Sequence, residues 1–427
     1  MERVSALALR LPRLAVTTRE RALGVTGVLL GLVMLFVLGV KSHSGRHAHF
    51  VLSPTGASVH VPTVSISARW TCWVLGIIVL ALSGWLLGGS MGKRQRTAVT
   101  AVIGVLFVLA FLAWASVASN DSALSLVQLG QQTLVRSIPI VLGALCGVLC
   151  ERSGVINIAI EGQFLLGAFT GAIVAAAASS LWLGMLGAAL AGALLGLVLA
   201  FLAIRYFVDQ VILGVVLNVF ALGLTNFLYD RILVTHPDLN SPKIFDDIKV
   251  PGLSDIPIIG PIFFDSNVFL YITYGLLIVM HFALFRTRWG LRLRAVGEHP
   301  TAADTVGIRV RATRYRAVIL GGLIAGIAGA SFTIGSVGGF GKDISSGKGY
   351  IALAALIFGR WSPSGALGAA LVFGFADALQ SNLGVIGTPI PSDFLAMLPY
   401  LVTVLAVAGL VGKVRAPGAD GKPYVKS

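Results

Sequence analysis

The stretch CERSGVINIAIEGQ, residues 150–163, places polar and ionisable side chains inside an otherwise apolar part of the chain. Gly154 and Gly162 bracket it, an arrangement expected of a transmembrane helix that is broken or re-entrant. Irregular backbone occurs at membrane depth only where protein covers it or where it lines a cavity. If the segment were helical, ten residues after Glu151 would rise about 15 Å and put Glu161 near the middle of a bilayer about 30 Å thick, with Asn157 on the same face. The stretch therefore predicts a broken membrane helix with a buried carboxyl group.

Two roles fit the polar residues of this stretch. A charged side chain at the centre of a bilayer costs at least about 2.5 kcal/mol unless it faces protein or water. Asn157, Glu161 and Gln163 can line or brace a translocation path. Alternatively, Glu161 can accept hydrogen bonds from backbone groups between helices and hold the break in place. The sequence leaves both interpretations open.

The composition around this stretch is that of a membrane protein. Hydrophobic residues make up 56% of the 427 positions and charged residues only 12%. A soluble domain carries about 25% charged residues, twice that share. The formal net charge of +14 does not indicate nucleic-acid binding, because the basic residues gather in short stretches between apolar segments. Basic residues in that position orient membrane helices.

Apolar stretches of sufficient length predict about twelve transmembrane helices. They centre near residues 31, 79, 108, 143, 167, 191, 218, 276, 325, 354, 372 and 403. The expected fold class is all-α, a polytopic transmembrane bundle with broken or re-entrant helices. Three regions are expected: an N-terminal tail with three additional helices (1–130), a transport core (131–412) and a C-terminal tail (413–427).

The connecting segments predict how the chain is oriented. Arginine and lysine concentrate in the N-terminal tail, in 93–96, in 286–316 and after residue 412. By the positive-inside rule all four face the cytoplasm. The segment 232–266 carries five aspartates and five prolines, which indicates an external loop. Both termini are therefore expected in the cytoplasm, with the chain crossing the cell membrane an even number of times.

A second interrupted element follows the ninth predicted helix. Residues 336–349 are rich in Gly and Ser, and the apolar run Tyr350 to Phe358 is too short to span a bilayer alone. This pattern predicts a half-helix, or a helix extended back through Ser346. Two interrupted segments in corresponding halves of a transporter indicate an internal inverted repeat with the binding path between its halves.

Further polar residues within apolar segments are Asn218 and Asp377. We include both as candidate pathway residues, with Asp377 in the outer half of its helix. Interhelical hydrogen bonding is the leading alternative for Asn218. The four histidines of residues 41–69 have no cysteine or carboxylate beside them, so a solvated loop is expected there rather than a metal site.

The loop after the eighth predicted helix has the signals of a short capped helix. Pro300 can occupy the first helical position and Gly307 can end the helix. Arginines flank the element, so we expect it to dock a partner at the cytoplasmic surface. The candidate docking residues are Gly297, Glu298, Pro300, Ala302, Ala303 and Gly307.

The chain lacks the motifs of catalysis. No G-x-x-x-x-G-K-[ST] occurs, so ATP cannot be bound through a P-loop, and no H-E-x-x-H or Ser-His-Asp signature is present. We therefore expect no enzymatic activity, no catalytic residue and no cofactor.

Three segments resemble the permease subunits of ABC importers of the branched-chain amino acid and simple-sugar class, most closely the nucleoside and simple-sugar branch. They are residues 151–162, 297–308 and 349–359, and their order and spacing also match. The resemblance covers about residues 131 to 412. His299 replaces the asparagine that is common at this point in the family.

The resemblance implies the rest of the transport system. Two permease chains, often paralogues that form a heterodimer, would enclose the path in the membrane lipid. Two cytoplasmic ATPase subunits would drive it, and an extracytoplasmic binding protein would deliver the substrate. Residues 297–308 would be the coupling helix that enters a groove of the ATPase. A nucleoside is the first expectation for the substrate, and a pentose or hexose the second.

One alternative belongs to a different class of protein. A buried carboxyl group in a membrane helix can relay protons, so the chain could instead be a proton-coupled secondary transporter that uses Glu161.

Overall fold

The structure is a computed structural model of the 427-residue chain, and it describes most but not all of the residues. The described residues are 18–42, 47–53, 61–89, 91–118, 123–386, 390–391, 394–395, 397, 400 and 415–426.

Helices dominate the described part of the chain. Ten of the helices described are long and apolar enough to cross a membrane, and an eleventh apolar helix, Lys348–Phe358, is shorter. They coincide with eleven of the twelve predicted stretches, which confirms the polytopic helical fold. The twelfth stretch, near residue 403, lies outside the described residues.

The described residues divide into two compact units: those up to 53, 61–126 and 383–391 belong to the first, and 127–382 and those from 394 onward belong to the second. The first unit contains three long helices, α1 (Thr18–Leu32, continued by a π-helical turn to Gly39), α2 (Ala68–Leu87) and α3 (Lys93–Ala118). A small sheet joins β1 (His47–Val51) to antiparallel β2 (Val64–Ser67) and to parallel β3 (Leu124–Ser125). Two of the four histidines expected in a solvated loop, His47 and His49, therefore lie on a strand.

The second unit holds the remaining helices. Their bounds are α4 (Leu126–Arg152), α5 (Ile160–Ala177), α6 (Leu181–Arg205), α7 (Gln210–Leu228), α8 (Ile259–Phe264), α9 (Val268–Arg286), α10 (Arg288–Glu298), α11 (Pro300–Thr305), α12 (Val310–Phe332), α13 (Lys348–Phe358) and α14 (Pro363–Ile386). In addition, α7 and α12 continue as π-helical turns to Leu233 and Val337. A two-stranded ribbon pairs β4 (Ile248–Lys249) with β5 (Asp265–Ser266).

Small residues let the central helices of this unit approach closely. On α6, Gly192 faces the carbonyl of Gly322 on α12, and a Cβ at either position would collide with the backbone opposite. A Cβ on Gly167 of α5 would collide with the backbone of Gly326 on α12, and one on Gly326 would collide with the backbone of Ala188 on α6. Backbones at this distance leave no room for a side chain, which explains why glycine occupies these positions.

The predicted breaks are present in the second unit. Helix α4 ends at Arg152 and α5 begins at Ile160, with non-helical backbone between them. Helix α13 has eleven residues, which corresponds to about 16 Å or half the bilayer core. It begins at Lys348, so it does not extend back through Ser346.

The helix ends define two ends of the second unit. One, here called the basic end, carries Arg152, Arg205, Arg286 and Arg309 at or beside the ends of α4, α6, α9 and α12. The opposite end, here called the acidic end, carries the segment 234–267 with its five aspartates.

Candidate translocation and coupling sites

Asn157 lies at the centre of the break between α4 and α5. It is fully buried, and its amide nitrogen donates to Gln163 Oε1 at 3.1 Å and to Cys146 Sγ at 3.3 Å. Its carbonyl oxygen accepts from the backbone N–H of Ala159 at 3.1 Å. The expectation that Asn157 and Glu161 share one helical face is wrong, because residues 155–158 are not helical, whereas Glu161 lies in α5. The side chain of Asn157 replaces the hydrogen bonds that the helix lacks here.

Asn218 of α7 ties three elements together. Its carbonyl oxygen accepts from the N–H of Gly162 at 2.8 Å, and its amide nitrogen donates to the carbonyl of Ile158 at 2.9 Å and to the Tyr350 hydroxyl at 3.1 Å. The amide thus caps the first turn of α5 and reaches α13. This is the interhelical hydrogen bonding expected for a membrane asparagine.

Glu161 connects the two broken elements. One carboxylate oxygen accepts from Ser345 Oγ at 2.6 Å and from the N–H of Gly347 at 2.9 Å, and the other accepts from the N–H of Gly349 at 2.6 Å. The residue is 5% exposed. A carboxylate at a helix N-terminus is stabilised by the free N–H groups and by the helix dipole. Glu161 therefore braces the start of α13.

A cavity of about 590 Å³ opens in the half of the second unit toward the acidic end. Helices α4, α12 and α14, the start of α13 and the segment before α9 line it. Asp377 forms an ion pair with Arg136 at 3.1 Å and lies 3.7 Å from Lys348 Nζ. Of the predicted pathway residues, Asp377 is the one that lines this cavity, while Asn157, Glu161, Gln163 and Asn218 lie together around the break.

The predicted docking loop folds as a short capped helix at the basic end. Pro300 is the first residue of α11, and Gly307 follows it with a φ of +83°, a conformation that favours glycine. Ala302 is exposed, but Ala303 is 3% exposed and packs with Val296 and Val310. The two candidate docking alanines therefore differ, because Ala302 is exposed and Ala303 is directed into the protein.

Gly297, near the end of α10, anchors α10 and the following α11 against α4. A Cβ on Gly297 would collide with the carbonyl of Arg152, the last residue of α4. Only glycine permits this approach, which brings the docking element against the residues that begin the break.

The C-terminal segment 415–426 completes the basic end, and the sequence did not predict this. The N–H of Ala419 donates to the carbonyl of Gly297 at 2.8 Å, and that of Gly418 donates to Glu298 Oε2 at 3.0 Å. The guanidinium of Arg314 joins the carbonyls of Ser153 at 3.2 Å and Lys422 at 3.0 Å. Nothing in the sequence distinguished Arg314, because Arg311 and Arg316 lie in the same turns of α12.

Carboxyl groups lie close together beneath this segment. Asp420 faces Glu151, which accepts a short hydrogen bond from Trp361 Nε1. Burial raises the pKa of Asp420 to about 6, while hydrogen bonds from Glu151 and Gly421 and the charge of Arg314 oppose that rise. The tail is thus fastened to the break, to the docking helix and to α12.

These features define a class of protein. Broken membrane helices beside a cavity with charged side chains in its lining are the parts of a membrane transporter.

The profile of a family described as branched-chain amino acid transport system / permease component matches residues 131–407, and the chain belongs to this family. It is therefore a multi-pass membrane permease, as the resemblance implied. No solved structure matches it.

The curated relatives match over most of their length. The guanosine ABC transporter permease protein NupQ of Bacillus subtilis (strain 168) is 44% identical over 69% of this chain and 95% of its own. The nucleoside ABC transporter permease protein NupC of Lactococcus lactis subsp. cremoris (strain MG1363) is 38% identical over the same shares, 69% and 95%. The guanosine ABC transporter permease protein NupP of Bacillus subtilis (strain 168) is 28% identical over 71% of this chain and 91% of its own.

Proposed function

We propose that this chain is the permease subunit of an ATP-driven importer of nucleosides. The observation that carries the proposal is the 44% identity to a permease named for guanosine, over 95% of that protein's length. The cavity that contains Asp377 agrees with it, because it is wide enough for a small polar molecule and opens at the end expected to face outward.

The proposed assembly contains a second, paralogous permease. NupQ and NupP come from one organism and both are named for guanosine, yet they match this chain at 44% and 28% identity. Such unequal similarity is expected if two related permeases form a heterodimer and this chain corresponds to one of them. Two cytoplasmic ATPases and an extracytoplasmic binding protein complete the system, with both termini of the chain in the cytoplasm.

We propose that α11 is the coupling helix and that Ala302 contacts the ATPase. The contacts of Gly297 with Arg152 and of Ala419 with Gly297 connect it to the break before α5. A movement imposed on α11 would therefore reach the break directly. Asn157, Glu161, Gln163 and Asn218 then act as supports of the broken helices beside the path.

The geometry of Glu161 does not favour the proton-coupled alternative. Both of its oxygens already accept hydrogen bonds from Ser345, Gly347 and Gly349. Protonation would remove acceptor capacity that three donors use, so a charge change there would disrupt the start of α13 rather than relay a proton.

The test is uptake of radiolabelled guanosine by cells that lack their own nucleoside transport and express the complete system. We expect uptake to be lost when the P-loop lysine of the partner ATPase is replaced. Uptake should persist in the presence of a protonophore, provided that the cellular ATP concentration is maintained. Uptake that survives without the ATPase and collapses with the protonophore would refute the proposal. Uptake of a pentose or hexose but no nucleoside would refute the substrate.

A further inference from the structure

The cavity near the acidic end has the features of a ligand site. We propose that it binds one nucleoside within the permease itself and that Asp377 and Lys348 hold the two ribose hydroxyls. This inference rests on the proposed function and adds where the nucleoside binds and which side chains recognise it. The volume of the cavity, about 590 Å³, lies inside the range of about 300 to 1,000 Å³ that is usual for small-molecule pockets.

The arrangement of Asp377 leaves hydrogen-bonding capacity unused. Oδ1 pairs with Arg136 at 3.1 Å, but Oδ2 makes no hydrogen bond among the described residues, and Lys348 Nζ lies 3.7 Å from it. That distance is too long for a hydrogen bond. Asp377 and Lys348 therefore form an ion pair without a hydrogen bond, and Oδ2 is a buried acceptor that has no donor among the described residues.

A vicinal diol matches this pair. One ribose hydroxyl can donate to Asp377 Oδ2 while its neighbour accepts from Lys348 Nζ, and both bonds involve a charged partner. Hydrogen bonds with a charged partner are about twice as strong as neutral ones. A sugar that lacks one of the two hydroxyls would leave one of these charged groups without its hydrogen bond, and a site built to bind a hydroxyl discriminates strongly against an analogue that lacks it.

The charges of the cavity favour a neutral ligand. Its lining holds two cations, Arg136 and Lys348, and three carboxylates, Asp247, Asp265 and Asp377. A nucleotide phosphate needs unpaired cations, and here negative charge exceeds positive. A nucleoside carries no charge, so it fits this lining.

Two glutamine amides are available for the base. Gln131 Nε2 donates to the carbonyl of Pro261 at 2.9 Å, and Gln132 Oε1 accepts from Asn382 Nδ2 at 2.7 Å. This leaves Gln131 Oε1 as an acceptor and Gln132 Nε2 as a donor, each without a protein partner among the described residues. This acceptor and this donor can form hydrogen bonds with the polar edge of a base, while Phe332 contributes an apolar wall.

The site adjoins the half-helix. Lys348 is the first residue of α13, and Glu161 holds the N–H groups of Gly347 and Gly349 on either side of it. Asp377 and Lys348 also line a second cavity of about 240 Å³, together with Ile351 and Phe373. The two side chains are therefore shared by both cavities.

The experiment measures initial rates of uptake into proteoliposomes that contain the complete transporter and one unchanged binding protein. Guanosine and 2′-deoxyguanosine are compared for the unaltered chain, for Asp377→Asn and for Lys348→Met. The preference of the binding protein cancels, because it is common to every measurement. Asp230→Asn is the matched control, since Asp230 forms an exposed ion pair with Lys342 at 2.7 Å outside the cavity.

We expect both cavity variants to lower kcat/KM for guanosine about tenfold or more, the value of one hydrogen bond to a charged group. 2′-Deoxyguanosine lacks one of the two hydroxyls, so the variant at the residue that binds the 2′-hydroxyl should lose no more than about threefold for it, and in that variant the ratio between the two nucleosides falls. The variant at the residue that binds the 3′-hydroxyl should lose about equally for both nucleosides, and the control should stay within about twofold of the unaltered chain. An equal loss for both nucleosides in both variants, or no loss for either nucleoside, would overturn the site. Failure of the unaltered transporter to move any nucleoside would instead overturn the proposed function, and the site with it.

Discussion

Glu161 offers the sharpest test of how the two broken elements are held together. Its carboxylate accepts three hydrogen bonds, from Ser345 at 2.6 Å, from Gly347 at 2.9 Å and from Gly349 at 2.6 Å. In Glu161→Gln the carbonyl oxygen can still accept two of them. The amide nitrogen replaces the oxygen that faces Gly349, so one donor then meets another donor.

The loss can be estimated from these contacts. Removing one charge-assisted hydrogen bond and leaving its donor unpaired costs about 2 to 3 kcal/mol. Glu161→Ala leaves all three donors unpaired at about 1 to 3 kcal/mol each, so it costs about 3 kcal/mol or more. Because 1.4 kcal/mol is about a factor of ten in an equilibrium, Glu161→Gln should open the start of α13 about 30- to 150-fold more often.

Hydrogen exchange of the purified transporter in nanodiscs measures this opening. We expect faster exchange of the amides of Gly347 and Gly349 in Glu161→Gln, and still faster exchange in Glu161→Ala. Glu298→Gln is the control, because Glu298 also accepts one backbone N–H, but at an exposed position far from α13 along the chain. Loss of uptake in Glu161→Gln with unchanged exchange at these glycines would refute the brace and would favour a proton-carrying role.

Three further predictions concern other parts of the second unit. A Cβ on Gly349 would lie 2.6 Å from the backbone of Glu161, so Gly349→Ala should lower both thermal stability and uptake. Gly368→Ala is the control: a Cβ there would have no atom within 4 Å, so the melting temperature should stay within a few degrees of the original. Because the folded-state pKa of Asp420, about 6, lies above its ordinary value, its contribution to tail docking should be complete below about pH 4 and lost as the pH rises through about 6. Hydrogen exchange of the tail, corrected for intrinsic rates, should therefore be slower at pH 5 than at pH 7.5, and Asp420→Asn should remove this difference; an unchanged dependence would contradict the assignment. Ala302→Glu should abolish co-purification of the ATPase and uptake without changing the melting temperature, and retention of both would show that α11 is not the docking helix.

The sequence determined those features that local chemistry encodes. Apolar stretches of sufficient length identify spanning helices, because the bilayer requires about 20 apolar residues per crossing. Pro300 and Gly307 bound α11 because proline fits a first helical position and glycine accepts a φ of +83° after the last turn. Gly154, with a φ of +87°, marked the break after α4 for a similar reason, whereas Gly162 lies within α5. Each of these signals lies within a few residues of the feature it specifies.

Only the tertiary structure decided which distant groups meet. Glu161 contacts Ser345 and Gly347, 184 and 186 residues further along the chain, and this turns a candidate pathway carboxylate into the brace of a half-helix. Asp377 likewise forms an ion pair with Arg136, which lies near the other end of the transport core in the sequence. A buried charge is tolerated only with its partners, so the sequence shows that partners must exist. Which residues they are depends on how the helices pack.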